Sequence, residues 1–177
     1  MKLAAWSLAA LFAGPVVIVA VWAIAALAAG AGFIVLPSNA SRYAGPQGRE
    51  ADITEMYATK EQTGGSLGFL KQIIAPNSGP PLHVHPGEDE LFYVLKGDFK
   101  VELGDKIIDA PAGTVMFVLR GTAHTFKNAG TEPGEFLVAV VPGGFEGMMV
   151  ERVGKDRDAV KVLAKKYNMD VVGPPIP

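Results

Sequence analysis

The stretch "PPLHVHPGEDELFYVLKG", residues 80–97, holds two of the chain's three histidines, one residue apart, followed at once by Glu88, Asp89 and Glu90. In an extended chain residues i and i+2 project to the same side, so His83 and His85 present two imidazoles on one face, a chelating pair. Simple alternation would send Glu90 to the opposite face. Pro86-Gly87 can break the strand and reset its phase, however, so that Glu90, Phe92 and Val94 turn inward. Glu88 and Asp89 read as a solvated acidic turn. Glu90 differs because it directly precedes the apolar run "LFYVL", where a buried carboxylate without a compensating cation is costly. The third histidine, His124, opens "HTFKN" (124–128), in which His124, Phe126 and Asn128 share a face. A strand folding back across the domain would carry it to the first pair. A lone histidine in a β-domain is more often a hydrogen-bonded core or surface residue than a ligand. Here the whole histidine supply falls on two strand-like segments, and that sets these residues apart.

Composition narrows what such a site can be. The chain has 177 residues, 49% of them hydrophobic, which is ample for a buried core and excludes disorder throughout. Sixteen basic and 18 acidic residues give a net charge of −2, so there is no electrostatic footprint for nucleic acid. With no cysteine, disulfides, zinc-thiolate clusters and thiol nucleophiles are excluded, and any metal must be held by nitrogen and oxygen.

The chain divides by composition into four parts. Residues 1–37 contain no charge from Leu3 to Leu36 and are long enough to cross a hydrocarbon layer of about 30 Å, so they read as an N-terminal transmembrane anchor. That reading makes this a membrane protein. The alternative is a cleaved signal segment, which would leave a secreted or periplasmic domain, although the apolar run exceeds the roughly 7–15 residues of a signal core. Residues 38–50, rich in Gly, Pro, Ser and charge, read as a linker. Residues 51–154 show short strand-forming segments broken by turn signals, the pattern of an all-β sandwich or barrel. Strands are expected at "FKVEL" (99–103), with Phe99, Val101 and Leu103 on one face, at "TVMFVL" (114–119) and at "EFLVAVV" (135–141). Residues 155–177 carry an α-helix over 155–168, with Asp156 as its cap, Asn168 at its exit and Ala159, Val162, Leu163 and Tyr167 on one side, followed by an extended tail.

Two spaced motifs carry a resemblance. His83-x-His85-x4-Glu90-x6-Gly97 is similar to the first cupin motif, and Pro111-x-Gly113 leading through Gly121-x-x-His124-x3-Asn128 is similar to the second. Leu119 stands where the second motif usually has proline, and Gly79 is one position too close to His83 to open the first. From about residue 50 onward the chain resembles a single-domain cupin (cupin type-2) of the bacterial quercetin-dioxygenase-like group. The resemblance implies a double-stranded β-helix, a jelly-roll barrel, in which His83, His85, Glu90 and His124 hold one divalent transition metal ion. Mn, Fe, Ni, Co, Cu and Zn all suit three imidazoles and a carboxylate.

It further implies a dioxygenase-type oxidoreductase acting on a small enol or aromatic, flavonol-like substrate. Glu90 would be catalytic, accepting the substrate's hydroxyl proton. Phe92, Phe117, Phe126, Met148 and Met149 are candidates for the pocket wall, each with ordinary core as the plainer reading. A non-catalytic module that binds a metal or small molecule while tethered to the membrane is the second expectation. Pairing through sheet edges gives a homodimer as the expected assembly.

Overall fold

Over residues 89–95, 98–101, 115–118 and 134–141 inward and outward residues alternate, and the chain forms two facing antiparallel sheets. The computed structural model describes residues 32–177. In chain order its strands are β1 (Ser41–Ala44), β2 (Ile53–Ala58), β3 (Gly68–Ile74), β4 (His83–Val84), β5 (Asp89–Lys96), β6 (Asp98–Leu103), β7 (Lys106–Pro111), β8 (Val115–Val118), β9 (His124–Asn128), β10 (Gly134–Val141) and β11 (Asp170–Val171). Helices α1 (Gly147–Glu151) and α2 (Arg157–Lys166) lie between β10 and β11. One sheet runs β1-β2-β3-β10-β5-β8 and the other β11-β4-β9-β6-β7. This is a double-stranded β-helix with a C-terminal helix.

From β3 onward successive strands change sheet, β6 and β7 excepted. Between β5 and β6 the corner is Gly97, whose φ of 91° is open to glycine and strained for other residues. A side chain there would also meet the Cα of Gly134 at 3.0 Å. The sheets are held together by four phenylalanines. Phe92 and Phe136 come from the six-stranded sheet, Phe99 and Phe126 from the five-stranded one, and all four are buried. Their rings meet edge to face across the gap, with centroids 4.7 Å apart for Phe126 and Phe136 and 5.2 Å for Phe99 and Phe136. Asn128 closes one end of the core. Its Nδ2 donates to the carbonyls of Ile74 and Glu132, both at 2.8 Å, and its Oδ1 accepts from the Gly130 amide.

Several expectations are corrected. Phe117, proposed for the pocket wall, lies on the outer face with Leu91, Tyr93 and Leu119, because Met116 and Val118 take the inward phase of β8. Val162 is 73% exposed. The buried stripe of α2 is instead Val160, Leu163, Ala164 and Tyr167, a tighter i, i+3, i+4, i+7 set. Asp156 does cap that helix, accepting from the Ala159 amide at 2.8 Å, and Asn168 leaves it at φ 52°. Part of the stretch read as linker is β1, which pairs with β2 along its whole length. The sequence reading also passed over β7 and α1.

The membrane localisation is corrected as well. Residues 1–31 of the expected anchor lie outside the described residues. Its described end, residues 32–36, has no regular secondary structure, and Pro37–Asn39 is a 3-10 turn, with Leu36 held at φ −76° and ψ 151° ahead of the proline. Among the described residues no helix is long and apolar enough to cross a membrane. The longer helix, α2, has 10 residues and spans about half of the roughly 30 Å required.

Truncation of the ring that bridges both sheets should be severe. Phe136→Ala is expected to lower unfolding stability by about 3–5 kcal/mol in urea titrations, and Phe136→Leu by clearly less, because more of the volume is kept.

Candidate metal centre

The histidine strand β4 is only two residues long, and its neighbours define its register. Val84 pairs with Asp170 and His83 with Val171 on one side, while on the other His83 faces His124 of β9 directly. The Gly121 amide donates to the His85 carbonyl at 2.8 Å, and the Thr125 hydroxyl to that of Pro80 at 2.7 Å. After His85, Pro86 and Gly87 carry the chain from the five-stranded sheet to the six-stranded one. There Glu90, between Val118 of β8 and Val140 of β10, faces back across the barrel.

The four residues meet in the interior. His83 is 6% exposed, His85 2%, Glu90 4% and His124 1%. One ligand atom from each lies within 4.8 Å of all the others. The ring centroids of His83 and His124 are 4.3 Å apart, and those of His83 and His85 5.0 Å. Glu90 Oε2 is 2.8 Å from His124 Nε2 and 3.6 Å from His85 Nε2.

Hydrogen bonding decides which nitrogens are presented. His83 Nδ1 lies 2.8 Å from the Pro81 carbonyl and His124 Nδ1 3.0 Å from that of Thr122, so in the neutral rings Nδ1–H donates and each Nε2 keeps its lone pair. A lone pair on His124 Nε2 facing a carboxylate oxygen at 2.8 Å sets two acceptors against each other. They require a proton or a metal cation between them. Both ring nitrogens of His85 are buried without a hydrogen-bond partner. Donors bonded at about 2.1 Å to a common ion stand roughly 3 Å apart when adjacent and roughly 4.2 Å apart when opposite. The Glu90 separations from His124 and His85, 2.8 and 3.6 Å, fall within that range, and the donor set fits a divalent transition ion whose identity these ligands do not fix.

The electrostatics agree. Burial, reinforced by the neighbouring His124 and His85, lowers the His83 pKa to about 3, and burial also lowers that of His85. Both rings therefore stay neutral near pH 7, the form in which an imidazole can ligate a metal. Burial pushes Glu90 upward, but the hydrogen bond it accepts when a proton sits on His124 Nε2 outweighs this and keeps the carboxylate below its usual range.

The acidic neighbours divide. Asp89 is held by Arg120, whose backbone amide and guanidinium bring its pKa to about 2. Glu88, expected in solvent, instead tucks in with Oε2 buried and unpaired, 3.9 Å from His85 Nδ1. Burial raises its pKa.

A cavity of about 440 Å³ opens from this cluster. His83 and Glu90 form part of its wall, and Phe92, Phe126, Met148 and Met149 line it as expected. Phe145 stacks edge-on against His85 with centroids 4.2 Å apart, a role that no periodicity in the sequence signalled.

A two-sheet antiparallel barrel with a buried mixed histidine and carboxylate centre opening into an internal cavity defines a class of small-molecule site. Residues 70–140 match the family profile described as the cupin domain. That match and the shared fold support a single cupin domain within the described residues. It is 27% identical over 107 residues to the oxalate-binding protein of Thermotoga maritima, an alignment that covers 60% of this chain and 88% of that one. A Thermotoga maritima crystal structure described as a predicted oxalate decarboxylase superposes with a TM-score of 0.56 at 26% identity, covering 62% of this chain and 99% of the other. The structure of KdgF from Halomonas sp. shares the fold, with a TM-score of 0.55 at 16% identity over 67% of this chain and 98% of that one.

Elemental analysis of the purified chain is expected to find about one transition ion per molecule, lost to less than about a tenth in His83→Ala and in His124→Ala. Stripping the ion with a chelator should lower the melting temperature of the wild-type chain and leave that of the variants in place.

Proposed function

We propose that the protein is a metal-dependent cupin that binds a small organic molecule through a pair of oxygen donors, and that it acts on enol-bearing or aromatic substrates as a dioxygenase-type enzyme. The observation that carries this reading is the convergence of His83, His85, Glu90 and His124 in one cluster, of which His83 and Glu90 reach the wall of a largely apolar cavity. Four protein ligands on a five- or six-coordinate ion leave one or two positions for a substrate. A bound divalent ion would polarise the substrate oxygens and favour their deprotonated form.

The chain's own residues do the rest. Glu90 is the carboxylate on the cavity wall, kept ionised by its neighbours, and is placed to accept a hydroxyl proton or to hydrogen-bond the deprotonated oxygen. Phe92, Phe126, Met148 and Met149 give an apolar body a surface to rest on and keep water from the reacting end. At about 440 Å³ the cavity is generous for an oxalate ion and falls within the roughly 300–1,000 Å³ usual for larger ligands.

A second reading, a binding module without turnover, is favoured by the relative named for binding oxalate. For either reading the expected assembly is a homodimer, in which a second copy covers the outward Leu91, Tyr93, Phe117 and Leu119.

Oxygen-electrode assays of the metal-replete chain with flavonols and related enols test the enzymatic reading. Substrate-dependent oxygen uptake is expected, reduced by roughly 100-fold or more in Glu90→Gln. Oxalate or an enol that binds by calorimetry with no oxygen uptake on any member of the panel would instead establish the binding module.

A further inference from the structure

Arg152, the residue that ends α1, lies in the cavity wall and has no place in the scheme above. It is 8% exposed. Its Nη2 donates a long hydrogen bond to Thr54 Oγ1 at 3.3 Å, and its Nε is buried with no partner. Among the described residues it forms no ion pair. Asp52, the anion whose charge acts on it, is already engaged by the Arg49 guanidinium, the Ser78 hydroxyl and the Ala75 amide. A guanidinium buried without a carboxylate is among the costlier arrangements a folded chain can keep. Burial, with Arg49 nearby, lowers the Arg152 pKa to about 10, so the group is still charged near neutrality.

The rest of the cavity has the same sign. Arg49, Arg157 and Lys161 also line it, and among the described residues Glu90, the proposed metal ligand, is its single carboxylate. Most of the remaining wall is apolar, with Phe92, Phe126, Met148 and Met149 among its residues. A ligand complementary to this cavity carries oxygen donors at the histidine end, a hydrophobic body and an anionic group toward Arg152. Guanidinium pairs best with a planar carboxylate, to which it can donate two parallel hydrogen bonds.

We infer that Arg152 is the carboxylate-recognition residue of the cavity, and that the natural ligand is an organic acid with an apolar body. This rests on reading the cavity as the ligand site. It also assigns a binding role to the segment after β10, which lies outside the matched residues 70–140.

Calorimetric titration of the metal-replete full chain tests the assignment, with 3-phenylpropanoate and octanoate as probes beside their primary amides and inorganic phosphate. Wild type should bind a carboxylate at least about 10-fold more tightly than its amide. Arg152→Gln should weaken the carboxylate by about 10- to 100-fold and leave the amide and the metal content unchanged. Arg152→Met, which replaces the buried charge with an apolar stem, gives the same comparison should the glutamine variant fold poorly. Equal binding of acid and amide by wild type, unaltered carboxylate affinity in the variants, or binding of phosphate alone would each overturn the proposal. Elemental analysis run alongside reports a failure of the metal site separately.

Discussion

Glu90 Oε2 and His124 Nε2 stand 2.8 Å apart, each contributed by a different sheet. Every other element of the site serves to keep that juxtaposition in place. The phenylalanine cluster sets the distance between the layers, the pairing of His83 with His124 sets the register within one of them, and the carbonyls of Pro81 and Thr122 fix which nitrogen each ring offers. Both carbonyls lie two residues before the histidine they orient. The tautomers are thus determined by local backbone, and the rings do not have to reorganise when a cation arrives.

The walls of the cavity have different origins. The matched cupin segment supplies the histidines, the carboxylate and the aromatic wall. The remaining side comes from the chain that follows β10, which returns to cover the barrel. α1 contributes Met148 and Met149, α2 contributes Val160 and Ala164, and the tail contributes Gly173 and Pro174. A shared barrel with a separately built cover is consistent with one fold hosting many ligands, since the ion-holding residues can remain while the cover varies.

Much of the site was legible in the sequence because it depends on short-range geometry. The H-x-H spacing needs only an extended chain, and the burial of Glu90 followed from the apolar run behind it. Fold class was legible for a similar reason, since period-two alternation in "FKVEL" and "EFLVAVV" survives into β6 and β10. Other features depend on tertiary phase. Phe117 and Val162 are apolar and sit in well-formed elements, yet neighbours of equal hydrophobicity, Met116 and Leu163, took the inward positions. Glu88 looked like a solvent residue because nothing local indicates that His85 lies beside it. Arg152 was hidden in the same way. As a lone arginine among charged residues it reads as surface, and its burial depends on Thr54, almost a hundred positions earlier.

β4 has partners from opposite ends of the folding sequence, β9 in the middle of the domain and β11 near the end. Contacts this distant in the chain form late and slowly. During synthesis from the N-terminus the barrel layers therefore come together around a histidine strand that still has one bare edge, and the pocket stays a trough open to solvent. Only when residues near 170 emerge and zip onto His83 and Val84 does the trough become a chamber.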